Sequence, residues 1–260
     1  MIRTLFFASC TLLIAFATAL PQAGFTAAPL LDYTVTAQYP HDSKAFTQGL
    51  VYHDGLLYEG TGLLGNSSIR RVELNSGRVL QKIDNDADVF GEGITLLDGL
   101  LYQLTWQNGR LLVYDAATLK VTREFALAGE GWGITHNNRQ LIVSDGTSTL
   151  YFHDPQTFEE LRRLAVTDDS EPITLINELE YFNGFIYANQ WHSNHILKID
   201  PADGRIVARV DLSRLAAAVR DRLSEPDSRD VLNGIAWDAA GRQLLVTGKH
   251  WPTLFAIRLH

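Results

Sequence analysis

The feature that most limits how this chain can fold is an internal repeat. Five segments open alike: Phe46-Thr47-Gln48-Gly49-Leu50, Phe90-Gly91-Glu92-Gly93-Ile94, Gly131-Trp132-Gly133-Ile134, Asn177-Glu178-Leu179-Glu180 and Leu232-Asn233-Gly234-Ile235-Ala236. With Gly49, Gly93, Gly133, Leu179 and Gly234 as equivalent positions, the intervals are 44, 40, 46 and 55 residues. Each opening leads into a short apolar strand and then a tight turn: His53-Asp54-Gly55, Leu97-Asp98-Gly99, Asn137-Asn138, Phe182-Asn183-Gly184 and Ala240-Gly241. Asp-Gly and Asn-Gly readily supply the positive φ angles that a two-residue hairpin needs. Second strands follow (Leu56-Leu57-Tyr58, Leu100-Leu101-Tyr102, Leu141-Ile142-Val143, Phe185-Ile186-Tyr187, Leu244-Leu245-Val246), then third and fourth strands across polar turns such as Asn75-Ser76-Gly77. Four short antiparallel strands per unit of about 40–50 residues is the pattern of β-propeller blades. The expected fold is all-β, a five-bladed propeller of four-stranded blades spanning residues 30–260 as one domain.

The fifth unit stops at its third strand, Leu254-Phe255-Ala256-Ile257, just before the end at His260. Tyr33-Thr34-Val35-Thr36-Ala37 alternates as a strand and precedes the first repeat, so it is expected to complete the last blade and close the ring. One segment breaks the rhythm. Leu212, Leu215, Val219 and Leu223 recur at helical spacing with Pro226 beyond, which predicts a helix near 212–224 inserted between blades four and five. The pattern leaves open whether that helix is a lid or a packing element.

The N-terminus reads as an export signal over residues 1–23. Arg3 supplies the positive flank, Leu5 to Leu20 carries no charge, and Ala17-Thr18-Ala19 fits a small-x-small cleavage site. The run is short for a membrane span. Cleavage removes the only cysteine, Cys10, so a periplasmic or secreted protein would have no disulfide and would need another way to close its ring. The formal net charge of −8 argues against nucleic acid or anionic membrane as a partner.

Propeller geometry then sorts the polar and aromatic residues by face. The innermost strand of each blade begins at one mouth of the central channel, and the loop between second and third strands lies at the same mouth. Gln48, Glu92, Trp132, Asn177 and Asn233 should gather there, with Glu59, Trp106, Trp191, Lys249 and Trp251 beside them. Trp106 follows Tyr102 by four residues and Trp191 follows Tyr187 by four, so the two are equivalent positions. Trp237 is expected in a blade core. An apolar pocket with a few converging polar groups is the usual form of a small-ligand site. Glu92 stands out, because only in the second unit does a Glu occupy the central position with Gly on both sides.

The segments Phe46-Thr47-Gln48-Gly49-Leu50, Glu59-Gly60-Thr61-Gly62, Phe90-Gly91-Glu92-Gly93, Asp145-Gly146-Thr147-Ser148, Asn177-Glu178-Leu179-Glu180, Val231-Leu232-Asn233-Gly234-Ile235-Ala236-Trp237 and Val246-Thr247-Gly248-Lys249 resemble the plant-type and bacterial glutaminyl-peptide cyclotransferases, from about Tyr33 to the C-terminus. The resemblance implies a five-bladed propeller that converts the N-terminal glutamine of peptides and proteins to pyroglutamate with release of ammonia. It further implies Glu92 as catalytic acid/base, Gln48, Asn177 and Lys249 as polar contacts, and Phe46, Trp106, Trp132 and Trp191 as pocket walls. No metal and no cofactor are implied, and the protein is expected to act as a monomer. The sequence departs from the family pattern at Gly60 (often Ser), at Leu64 (often aromatic) and at His250 beside Lys249.

Two other readings fit parts of the same pattern. In a metal-dependent propeller hydrolase, Glu92, Asn177 and Asn233 would ligate a hard cation through oxygen. Against it, aromatics outnumber carboxylates at the mouth, and His192 and His195 read as loop residues rather than zinc ligands. A non-catalytic binding ring is the third reading, since fold does not fix function.

Overall fold

The computed structural model describes residues 28–223 and 226–260; the export-signal segment and the end of the expected 212–224 helix lie outside them. Five four-stranded antiparallel sheets follow one another along the chain. Blade one is Thr47–His53, Leu56–Thr61, Ser68–Glu73 and Arg78–Asp84; blade two is Gly91–Leu97, Leu100–Thr105, Arg110–Asp115 and Lys120–Ala126. Blade three is Ile134–His136, Leu141–Ser144, Thr149–His153 and Glu160–Ala165; blade four is Ile176–Phe182, Phe185–Gln190, His195–Ile199 and Ile206–Asp211. Blade five takes Leu232–Asp238, Gln243–Gly248 and Thr253–Leu259 from the end of the chain and Tyr33–Pro40 from its beginning. That last pairing runs antiparallel from Tyr33 opposite Leu259 to Pro40 opposite Thr253, so the ring closes through strand pairing as expected.

The expected hairpin turns form at Asp54-Gly55, Asp98-Gly99 and Asn183-Gly184, where both residues of each pair have positive φ. Blade five differs. Its first two strands end at Asp238 and Gln243, so the turn spans four residues, and Arg242 rather than Gly241 takes the positive φ. The Asp238 carboxylate accepts from the Gly241 N–H (2.9 Å) and from Gln243 Nε2 (2.9 Å), which holds the wider turn.

Buried apolar side chains fall into five clusters, one at each interface between successive blades. Tyr58 and Ile69 of blade one pack with Ile94 and Leu101 of blade two, for example, and Leu50 and Leu57 pack with Ala236 and Leu245 to join blade one to blade five. Inner strands are sandwiched between neighbours and nearly wholly buried, whereas the outermost strands Arg78–Asp84 and Lys120–Ala126 are almost wholly exposed. The helix is Ser213–Arg220, and its apolar side, Leu215 and Val219 with Leu212 just before it, is buried in the cluster between blades four and five. It is a packing element.

Where the inner strands converge, side chains are too large to fit. A Cβ on Gly49 would sit 2.3 Å from the Ile94 nitrogen, and one on Gly93 would sit 2.7 Å from the Trp132 carbonyl oxygen. Gly93 donates its N–H to that same oxygen at 2.9 Å. These glycines admit the backbone of the next blade. Inner strands also present N–H groups to the channel that no strand can pair. Glu178 answers two of them, accepting from Leu50 N–H (3.2 Å) and Ile235 N–H (2.8 Å) and so tying blades one, four and five together.

Candidate active site

Four of the five positions the repeat marks as equivalent are β-bulges. The inner-strand register slips between Thr47 and Gly49, Gly91 and Ile94, Ile176 and Leu179, and Leu232 and Ile235. A bulge leaves a residue outside the ladder and re-aims its side chain. The residues so released include Gln48, Glu92, Asn177 and Asn233. Blade three has no such slip, because its inner strand begins only at Ile134, and Trp132 lies just ahead of it.

At this mouth the structure has a cavity of about 300 Å³ lined by Phe46, Gln48, Leu63, Phe90, Glu92, Trp106, Glu130, Trp132, Asn177, Trp191, Arg229 and Lys249. The eight residues that the resemblance assigns to the site are therefore together. The walls are aromatic and meet edge to face. Phe46 meets Phe90 (ring centroids 6.2 Å apart), Phe90 meets Trp106 (5.5 Å), and Trp132 meets Trp191 (5.4 Å). Such pairs contribute about 0.5–1.5 kcal/mol each beyond area burial.

The floor is polar and directional. Asn233 donates to Gln48 Oε1 (3.3 Å) and to the Thr47 carbonyl (2.9 Å), which turns the Gln48 amide so that its Nε2 donates to Glu92 Oε1 at 2.9 Å. Glu92 is 5% exposed. Burial pushes its pKa well above the usual carboxylate value, opposed by the Lys249 charge and reinforced by that of Glu130. Lys249 is also buried, which lowers its pKa to about 8 although Glu92 pulls the other way. Its Nζ sits 4.6 Å from the centre of the Phe46 ring, a cation–π contact that holds the ammonium against the wall. The Asn177 Oδ1 is buried with no hydrogen-bond partner among the described residues. A buried acceptor left free can take an N–H from a ligand.

Three residues expected at this mouth are elsewhere. Asn233 is in the layer beneath the floor, spent on Thr47 and Gln48. Trp251 is 1% exposed and packs in the core cluster with Leu212, Leu215 and Val219, its indole donating to the Asp230 carbonyl (3.2 Å). The inserted helix gives this indole an apolar seat that sequence spacing could not foresee. Glu59 is wholly buried in an ion network: Oε1 takes Thr47 Oγ1 (2.6 Å) and His41 Nε2 (2.9 Å), and Oε2 takes Arg70 Nε (2.9 Å) and Nη2 (2.7 Å). Trp237 is only half-buried and stacks on Phe182 of blade four at 4.3 Å, between blades.

Phe90, Glu130, Leu63 and Arg229 were not foreseen as lining residues. Phe90 stands two residues before Glu92 in the repeat, and Glu130 two before Trp132, so adjacency offered a signal for both. Leu63, with φ of 81°, lies on the loop between the second and third strands of blade one, and Arg229 on the inserted segment before blade five. Leu64, where the resemblance often expects an aromatic, is 61% exposed and outside the cavity. Gly60 lies behind the floor, where a Cβ would come within 2.9 Å of the Glu92 carbonyl oxygen. Among the described residues no group of three or more His, Cys, Asp or Glu could hold a metal ion.

Ring and cup together define a β-propeller enzyme whose titratable groups Glu92 and Lys249 are buried in an aromatic pocket. Its family follows from comparison with known proteins. The glutamine cyclotransferase family model matches residues 7–259, and the chain belongs to that family. It is 43% identical over 232 residues to the glutaminyl-peptide cyclotransferase of Arabidopsis thaliana, covering 88% of this chain and 71% of that protein. The crystal structure of Myxococcus xanthus glutaminyl cyclase superimposes with a TM-score of 0.83 at 39% identity, over 89% of this chain and 98% of the other.

Proposed function

We propose that this protein is a glutaminyl-peptide cyclotransferase that closes N-terminal glutamine to pyroglutamate, with Glu92 moving the proton. The carrying observation is one buried carboxyl of raised pKa, held by Gln48 and facing the charge of Lys249, on the floor of an aromatic cup. In the reaction the substrate's α-amine attacks its own γ-carbonyl carbon; the new C–N bond closes the ring and the old amide C–N bond breaks. The attacking nitrogen must lose a proton and the departing nitrogen must gain one, leaving as ammonia.

A free α-amine has a pKa of about 7.7–8.0, and burial raises the Glu92 carboxyl out of the ordinary carboxylate range in that direction. An ammonium with ionised Glu92 and a free amine with protonated Glu92 hold the same number of protons, so the cup needs no external base to start. Matching the pKa of an acid/base group to working conditions is where such catalysis is most effective, typically 10²–10⁴-fold. Asn177 and Lys249 are the donors for charge developing on the γ-oxygen, a role in which losing one donor costs on the order of 10²–10³-fold. The walls Phe46, Trp106, Trp132 and Trp191 hold the side chain folded over its amine, an orientation effect.

The same reading makes the protein an exported monomer acting on peptide N-termini. Its support is the Arg3 flank, the uncharged run to Leu20 and the small-x-small site that follows, together with a ring closed by strand pairing rather than disulfides. Among the described residues no helix is long and apolar enough to cross a membrane. Glu92→Gln should abolish ammonia release from a Gln-initiated peptide with the circular dichroism spectrum unchanged, and the unaltered protein should keep turning over in chelator. Near-normal turnover by Glu92→Gln removes the proposed role of Glu92; loss of activity in chelator favours the metal-dependent reading.

A further inference from the structure

The aromatic wall is a chain of ring-on-ring contacts with one gap. His250, Phe46, Phe90 and Trp106 form one arc, and Trp132, Trp191 and His192 form another. Trp106 and Trp132 are bridged by a carboxylate instead. Glu130 Oε2 accepts the indole N–H of Trp106 (2.9 Å) and that of Trp132 (3.0 Å), while Oε1 accepts Gln107 Nε2 (2.9 Å). We propose that Glu130 is a positioning residue that sets the width and pitch of the cup by holding two indoles, one from each arc, on a single oxygen. The proposal rests on the cyclotransferase reading above.

Three observations favour it. Trp106 is 38% exposed and sits on a loop, so its outer edge has little packing to fix it. Glu130 is on the segment leading into blade three and Trp106 on a loop of blade two, so the bridge spans two blades that the cavity must keep in register. Glu130 is also held toward its ionised form by Gln107 and by the two indoles, and hydrogen bonds to an ionised acceptor are about twice as strong as neutral ones.

The test compares Glu130→Ala with Glu130→Gln. The carboxamide oxygen of Gln can still accept both indole N–H groups, whereas Ala cannot. Misplacing a wall by about 1 Å can cost on the order of 10²-fold, so Glu130→Ala should lower kcat/KM for a Gln-initiated peptide by about 10- to 100-fold. Glu130→Gln should stay within about 3-fold of the unaltered protein, by the same argument that orientation and not charge is what Glu130 supplies. In a Trp106→Phe background, which already lacks one of the two donors, the further loss from Glu130→Ala should shrink, since residues in contact are not additive. A readout independent of turnover is acrylamide quenching of indole fluorescence, which should increase in Glu130→Ala and not in Glu130→Gln.

A Glu130→Ala protein within twofold of normal kcat/KM overturns the proposal. So does a Glu130→Gln protein that falls as far as the alanine variant, because the role is then charge. If the unaltered protein releases no ammonia, the cyclotransferase reading fails by itself and quenching still decides the role of Glu130. If Glu130→Ala does not fold, Glu130→Gln together with Trp106→Phe carries the test.

Discussion

Glu59→Gln is the substitution whose outcome the structure determines most fully. Glu59 joins three residues, Thr47, His41 and Arg70, and ties the segment after the closing strand to blade one. His41 Nδ1 contacts the Trp251 carbonyl at 2.5 Å and its Nε2 contacts Glu59 at 2.9 Å. Both partners are pure acceptors, so the ring satisfies both only as imidazolium. Arg70 completes the set, bonding Glu59 through two nitrogens and Asp42 through Nη1 at 2.7 Å. Two cations and two anions balance. Burial by itself would raise the Glu59 carboxyl, but His41 and Arg70 overcome it and hold the pKa at about 2.

Removing one partner of a buried pair typically costs about 3–5 kcal/mol. The pKa gives a second route to the magnitude. Moving a carboxyl from 4.5 to about 2 corresponds to about 3 kcal/mol at 1.36 kcal/mol per tenfold change in proton affinity, with the attraction to His41 counted once for the pair. For a protein of this size about 3 kcal/mol is a fall in Tm of roughly 6–12 °C. Since the folded pKa is depressed, this stability is fully present above the unfolded value near 4.5 and is lost as pH falls through about 2. Thermal melts followed by circular dichroism from pH 6 to 2 should show a steep acid decline in the unaltered protein and a shallower one in Glu59→Gln. At low temperature the variant should keep kcat/KM within about 3-fold, because Glu59 lies outside the cup and positioning there is undisturbed. An unchanged Tm, or lost activity with an unchanged Tm, refutes the reasoning.

The same variant that tests catalysis also tests the energetic cost of the site. Burial raises the Glu92 pKa, so the folded protein holds a proton that the unfolded chain has released, and stability declines as pH rises through that window. Glu92→Gln lacks this titration and should melt higher than the unaltered protein at pH 8 while being inactive; equal Tm values across pH 5–9 would count against the raised pKa. Two tryptophans adjacent to the mouth in sequence should separate cleanly. Trp251→Ala opens a core cavity and should cost about 3–5 kcal/mol with kinetics retained at low temperature, whereas Trp191→Ala should lower kcat/KM by about 10²-fold with little change in Tm.

The sequence alone determined the number of blades, the closing strand and most of the residues that line the cup. These are consequences of local rules: period-two strands, turn residues with positive φ, and a repeat that puts equivalent positions on one face. The N-terminal strand could be assigned because the fifth unit lacked one strand and Tyr33–Ala37 supplied one. Gln48, Glu92, Trp106, Trp132, Asn177, Trp191 and Lys249 could be gathered because a propeller makes position within the repeat a statement about position in space; Phe46 came from the family resemblance.

What the sequence could not decide was where a side chain goes once several blades compete for it. Glu59 and Trp251 stand at repeat positions that predict the mouth, yet one is drawn to Arg70 and His41 and the other to the inserted helix. Arg70 is the cross-strand neighbour of Glu59 in blade one, but His41 arrives through chain closure and the helix through an insertion, neither of which the repeat describes. The glycines beside Glu92 read in sequence as freedom for a side chain; in the ring Gly93 is needed because the backbone of blade three passes within contact distance. Glu130 was overlooked because its meaning lies in two indoles from different blades meeting at one oxygen. Local pattern fixes which residues face the channel, and only tertiary packing sets which of them share a proton, a charge or a hydrogen bond.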